Sequence, residues 1–146
     1  MIAVASQKGG VGKTTTAINL SAALAVAEKH VLLIDLDPQA NATTGIGLDK
    51  NKNKKDIYSI LNGENSIRGA IVPTDLKYLK IIPSTRNLAK FELETVSEDN
   101  NHLYLKNVLQ ELESEYDYLF IDLPPSLGLL TINALNFVSL LPLEIL

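Results

Sequence analysis

Ile2-Ala3-Val4-Ala5, followed after two residues by Lys8-Gly9-Gly10-Val11-Gly12-Lys13-Thr14-Thr15, is the segment around which the rest of the chain is arranged. A short run of small and β-branched residues stops at Ser6-Gln7, three glycines fall within the next five positions, and helix-compatible sequence begins at Thr14. The order is therefore strand, loop, helix. Glycines allow backbone conformations closed to other residues, so several N–H groups can converge on one anion while the helix N-terminus adds partial positive charge. A phosphate chain fits such a nest. Lys13 would reach the β and γ phosphates as a point charge, and the Thr14 hydroxyl would ligate an accompanying Mg²⁺.

The pattern for a P-loop is G-x-x-x-x-G-K-[ST]; Gly12, Lys13 and Thr14 match it, whereas Gln7 occupies the first glycine position. In exchange the loop carries a second lysine, Lys8, ahead of Gly9. This KGGVGKT form resembles the variant P-loop of the ParA/Soj/MinD family of ATPases. A glycine-rich turn with two solvated lysines is the plainer alternative, and the apolar strand before it and the helix after it argue against that.

Bulk properties set the frame. At 146 residues the chain is the size of one domain, 1–146, with a single core. Hydrophobic residues at 46% and charged residues at 21% are ordinary for a globular protein, and a net charge of -4 gives no global attraction to nucleic acid or anionic membrane. The absence of cysteine excludes disulfides, thiolate metal sites and iron–sulfur clusters, and suits a reducing cytoplasm. The residues before the loop lack the basic start of a signal peptide, and no apolar run reaches the length of a membrane span, so a cytoplasmic location is expected. His30 and His102 stand apart and read as surface residues rather than ligands.

From Thr14 to Glu28, Ala17, Leu20, Leu24 and Ala27 recur at helical spacing, and Lys29-His30 closes the segment. Val31-Leu32-Leu33-Ile34 is a continuous apolar run, the mark of a strand buried on both faces of a parallel sheet, and it ends in Asp35 and Asp37. Ligand-binding residues of open α/β sheets lie at such carboxyl ends. Two acids there could be a simple polar stop, but beside a phosphate loop one can orient an attacking water and another can support Mg²⁺ through its water shell.

Lys50, Lys52, Lys54 and Lys55, bracketed by Asp49 and Asp56 without aromatic residues between them, read as a solvated loop. Asp56 to Leu61 and Ser66 to Val72 are expected as short helices around the turn Asn62-Gly63, and Leu79 to Ile82 as a strand. Leu105, Val108, Leu109 and Leu112 follow i, i+3, i+4, i+7 and define a helix against one sheet face. Tyr118-Leu119-Phe120-Ile121 is then a strand ending in Asp122, an arrangement that sets a carboxylate beside Mg²⁺, followed by the Pro124-Pro125 loop, a helix from Thr131 to Phe137 and a strand near Ser139.

The words DLDPQANAT (35–43), IIPSTRNLAKFELE (81–94) and IDLPPSLGLLTINAL (121–135) resemble the ParA/Soj branch in turn, so the resemblance spans Met1 to about Leu135. It implies a P-loop NTPase fold of the α/β class: a mostly parallel sheet with helices on both faces, incomplete at its C-terminal end, because family members continue well past the segment that 138–144 resembles and the join before it looks short. It implies an ATPase of weak turnover that uses ATP and Mg²⁺ in plasmid or chromosome partition. Lys8, Gly9, Gly10, Val11, Gly12, Lys13, Thr14 and Thr15 would cradle the nucleotide; Thr14, Asp35 and Asp122 would serve the metal; Asp37 would orient water. Lys8 would cross to the ATP of a second protomer in a homodimer formed through the nucleotide face. A ParB-like activator and non-specific DNA are the implied partners, although the resemblance implies that the DNA-binding region is missing. A truncated fragment that binds nucleotide without hydrolysis or DNA binding, and a MinD-like cell-division ATPase, are the alternatives.

Overall fold

The computed structural model describes residues 1–6, 8–52, 55–95 and 101–138. Strands β1 (Ile2–Val4), β2 (Val31–Asp35), β3 (Val72–Pro73), β4 (Leu79–Ile82) and β5 (Tyr118–Asp122) form one sheet in the order β1-β5-β2-β4-β3. All neighbours are parallel except β3, which runs antiparallel to β4 at the edge. The helices are α1 (Lys13–Val26), α2 (Asn41–Gly45), α3 (Ile57–Leu61), α4 (Ile67–Ala70), α5 (Leu88–Thr95), α6 (Tyr104–Leu109) and α7 (Leu129–Phe137).

The continuous apolar runs of β2 and β5 are explained by burial on both sides of the sheet. Val31, Leu33, Ile81 and Phe120 pack with Ala17 and Ala25 of α1 on one face. Leu32, Ile34, Ile82, Leu119 and Ile121 pack on the other face with Ile57 of α3, Phe91 of α5, Leu105 and Leu109 of α6 and Leu130 of α7. Alternation of side chains along each strand divides the run between these two clusters. The α6 stripe extends through a turn of 3₁₀ helix at Gln110–Leu112, which brings Leu112 into the same core.

Two expectations are revised. The segment from Ser66 to Val72 is not helical throughout: α4 stops at Ala70, Ile71 is extended, and Val72 pairs with Ile81. Pro73 accounts for this, since a proline disfavours helical geometry in the residue before it and Ile71-Val72 are β-branched. Helix α1 ends at Val26, two residues early, where the chain reverses through Glu28 in left-handed geometry at φ 60. The strand expected near Ser139 lies outside the described residues. His30 and His102 are exposed, as a surface reading requires.

Candidate functional site

The four parallel strands bring their carboxyl ends to one rim, and β1 runs from there into the glycine loop. Gly10 and Gly12 hold φ 72 and φ 90, conformations that a residue with a Cβ adopts only under strain. Gly12 is the N-cap of α1, no side chain caps that end, and the first turn contains no acid. The leading N–H groups of a 14-residue helix are thus left for an external anion. Lys13 is buried at 8% exposure, and its Nζ donates to the Lys8 carbonyl at 3.2 Å. That bond folds the lysine back along the loop.

Gly9, Gly10, Gly12, Lys13, Thr14, Thr15 and Asp37 line one cavity of about 480 Å³, together with Gln39, Asn41 and Pro125. The last three were not singled out as site residues. Gln39 and Asn41 are reached because the chain turns sharply after Asp37, whose Oδ1 accepts the Gln39 amide at 2.9 Å. Val11 and Lys8 do not line the cavity, and Lys8 is exposed. The lysine-rich loop is less detached than its composition suggests: Lys50 Nζ donates to the Gln39 carbonyl at 3.1 Å, at the cavity rim, while Lys54 lies outside the described residues.

Behind the loop lie two acids, one on each of two neighbouring strands. Asp35 and Asp122 are directly paired in the β2–β5 register, and both are fully buried. The Thr14 hydroxyl donates to Asp122 Oδ2 at 2.8 Å, whereas Asp122 Oδ1 is buried with no hydrogen-bond partner. Burial pushes the Asp122 carboxyl up to about 7; the Thr14 hydrogen bond opposes this and the charges of Asp35 and Asp37 add to it. Asp35 is raised to about 6, again by burial, against hydrogen bonds from Thr43 and Asp37.

The geometry separates acids that the sequence presents as equivalent. Asp37 faces the cavity. Asp122 is linked to it through Thr14, with one oxygen unsatisfied. Asp35 spends both oxygens inside the protein, accepting the Asp37 amide at 3.1 Å, the Thr43 amide at 2.8 Å and the Thr43 hydroxyl at 2.7 Å. Among the described residues no three His, Cys, Asp or Glu side chains form a metal-holding cluster, so the protein offers hard oxygen donors but no closed cage.

A strand leading through a left-handed glycine turn into an uncapped helix, with an aspartate on the adjacent parallel strand hydrogen-bonded to that helix's first hydroxyl, defines a P-loop NTPase domain. Within that class, the chain belongs to the AAA domain family, which matches residues 1–141. It is 48% identical over 146 residues to the chromosome partitioning protein ParA of Myxococcus xanthus, covering 99% of this chain and 52% of that protein. It is also 48% identical over 136 residues to the sporulation initiation inhibitor protein Soj of Bacillus subtilis, covering 93% of this chain and 54% of that one. Among solved structures, cobyrinic acid a,c-diamide synthase from Mycobacterium smegmatis with bound ATP analogue and magnesium superposes with a TM-score of 0.88 at 39% identity, over 92% of this chain and 55% of that one. The chain thus spans about half the length of the relatives it matches.

Proposed function

We propose that this chain binds ATP with Mg²⁺ and hydrolyses it slowly, as a nucleotide-switched ATPase of the ParA/Soj type acting in plasmid or chromosome partition. The observation that carries the reading is the shared cavity in which the bare N-terminus of α1, Lys13, Thr14 and Asp37 meet, backed by the half-satisfied Asp122. Names of the relatives point the same way, and so does the ATP analogue bound to the solved neighbour.

Each residue has a role that follows from its chemistry. Helix α1 and the loop amides bind phosphate oxygens, and Lys13 neutralises β and γ charge after leaving the Lys8 carbonyl. The free Asp122 oxygen and the Thr14 hydroxyl suit a hard cation, and Mg²⁺ when bound would neutralise charge on the β and γ oxygens. Asp35, with its oxygens already engaged, supports that site at one remove. Asp37, facing the cavity and steadied by the Gln39 amide, orients the attacking water. Lys8, exposed at the mouth of the loop, serves the nucleotide of a second protomer in a homodimer, where a cation stabilises developing charge. A ParB-like activator and non-specific DNA belong to the same reading as partners.

A second reading, binding without turnover, draws on the span of about half the relatives' length. Isothermal titration with ATP and Mg²⁺, paired with a phosphate-release assay, separates the two. Lys13→Ala is expected to abolish binding, and Asp37→Ala to retain binding and stop turnover. Equal loss of binding in both variants would make Asp37 a metal or structural residue, and a wild type that binds without releasing phosphate would establish the second reading.

A further inference from the structure

The cavity receives Asp37, Gln39 and Asn41 from one short segment, and that segment is held by a buried network in which the reading above gives a part to Asp35 alone. Thr43 stands at its centre, in α2. Its hydroxyl donates to Asp35 Oδ2 at 2.7 Å and accepts the Ser84 amide at 2.9 Å, while its own amide donates to the same Asp35 oxygen at 2.8 Å. Asp35, Thr43 and Ser84 are each fully buried. The other Asp35 oxygen accepts the Asp37 amide, so one carboxylate grips the segment at residue 37 and again at residue 43.

The grip works against local strain. Ala40, also fully buried, lies at φ 55, ψ 42, a left-handed conformation that alanine adopts at a cost. The turn is closed by the Ala40 amide donating to the Asp37 carbonyl at 2.8 Å. A strained residue persists where its surroundings over-determine it, and the Asp35–Thr43–Ser84 bonds are the buried part of those surroundings, beside Thr44 donating to the Ala40 carbonyl and Lys50 to the Gln39 carbonyl. Ser84 is itself anchored, since Pro83 accepts the Ile57 amide at 3.0 Å and Thr85 donates to Asp56, the N-cap of α3.

We infer that Thr43 is a positioning residue: its hydroxyl, bridging Asp35 and the Ser84 amide, fixes segment 37–41 against the phosphate loop and so sets where Asp37 stands. Only a hydroxyl can donate to the carboxylate and accept from the amide at one atom. Valine has the same shape but leaves a buried N–H and a carboxylate lone pair unsatisfied; serine keeps both bonds. The Ser84 hydroxyl takes no part, being buried without a partner, and the amide of that residue makes the contact.

The catalytic consequence rests on the proposed ATPase reading, but the positioning does not, and amide hydrogen exchange on the nucleotide-free chain tests it directly. Thr43→Val is expected to speed exchange across residues 37–45 at least about tenfold while the central amides of β2 and β5 stay within about twofold, the pattern of a local opening. Thr43→Ser should restore the wild-type pattern, and Ser84→Ala should leave it unchanged. Should the valine variant not fold, the comparison is read on Thr43→Ala, which places no methyl group against the Ser84 amide. At saturating ATP the hydroxyl-less variant should lose at least about tenfold in kcat with its ATP Kd within about threefold, since only the alignment of Asp37 is disturbed. Unchanged exchange at 37–45, an equal rise in the central strands, or a wild-type kcat would each overturn the inference. A wild type that binds no ATP would sink the ATPase reading instead, leaving the exchange result to decide the role of Thr43.

Discussion

Raising the pH from 5 to 8.5 in the absence of nucleotide should weaken this fold by about 3 kcal/mol at one carboxylate, Asp122. The group is fully buried and its carboxyl is raised from 3.8 to about 7. Between those two values the folded chain holds a proton that the unfolded chain has released, so stability is highest at low pH and falls as pH rises through the window. At about 1.4 kcal/mol per pH unit the whole effect is about 4 kcal/mol, of which about 3 lies between pH 5 and 8.5. Asp35, raised to about 6, titrates in the same range, so the informative quantity is a difference between variants. Asp122→Asn keeps the shape and an oxygen to accept from Thr14 but cannot ionise. Its stability advantage over wild type should therefore be about 3 kcal/mol larger at pH 8.5 than at pH 5. Urea unfolding followed by circular dichroism reads this as a gap between midpoints that widens by roughly 1–3 M, for slopes of about 1–3 kcal/mol/M. A gap that is the same at both pH values would refute the argument, because burial of an ionised carboxylate would then carry no penalty.

Lys8→Ala is expected to leave ATP binding by the monomer intact and to remove ATP-dependent dimerisation and turnover; sedimentation with ATP and Mg²⁺ decides, and a wild type that stays monomeric at saturating ATP would leave Lys8 without its target. Gly12→Ala meets no atom within 4 Å of the new Cβ, yet it forces φ 90 on an alanine. It should therefore fold with a loss of about 1–2 kcal/mol or shift the loop, with weaker ATP binding by titration in either case. Glu28→Gly, at an exposed left-handed position after α1, should raise stability by up to about 1 kcal/mol, read as a higher Tm.

How far the sequence could be read depended on how local each signal was. The β1–loop–α1 unit was legible because its pattern is contiguous, and β2, β4 and β5 because apolar runs ending at the acids or just before a turn have few other readings in an α/β chain. β3 was not, because two residues carry no periodicity and their pairing with β4 is decided across the sheet edge. The difference between Asp35 and Asp37 was also hidden. Both belong to one motif, and only the path of the chain through Ala40 decides that the first turns inward to Thr43 while the second faces the cavity. Nothing in the residue type predicts an alanine at positive φ, so the start of α2, and with it the role of Thr43, could not be foreseen.

The same geometry explains why the acids stand where they do. A core built for stability alone would not pair Asp35 with Asp122 in register on adjacent strands, fully buried, with the charge of one raising the other. Apolar residues of similar volume at such positions are commonly neutral or stabilising. The chain keeps the pair at different degrees of satisfaction: Asp35 is closed off by three internal hydrogen bonds, and Asp122 is left with one oxygen free behind Thr14. A positive charge arriving at that oxygen would offset the desolvation that holds the carboxyl near 7, and would draw the proton off at neutral pH. The affinity for that charge should therefore rise with pH up to about 7, as the proton it has to displace is lost, and the fold gains RT ln(1 + [L]/Kd) at whatever Kd holds at each pH.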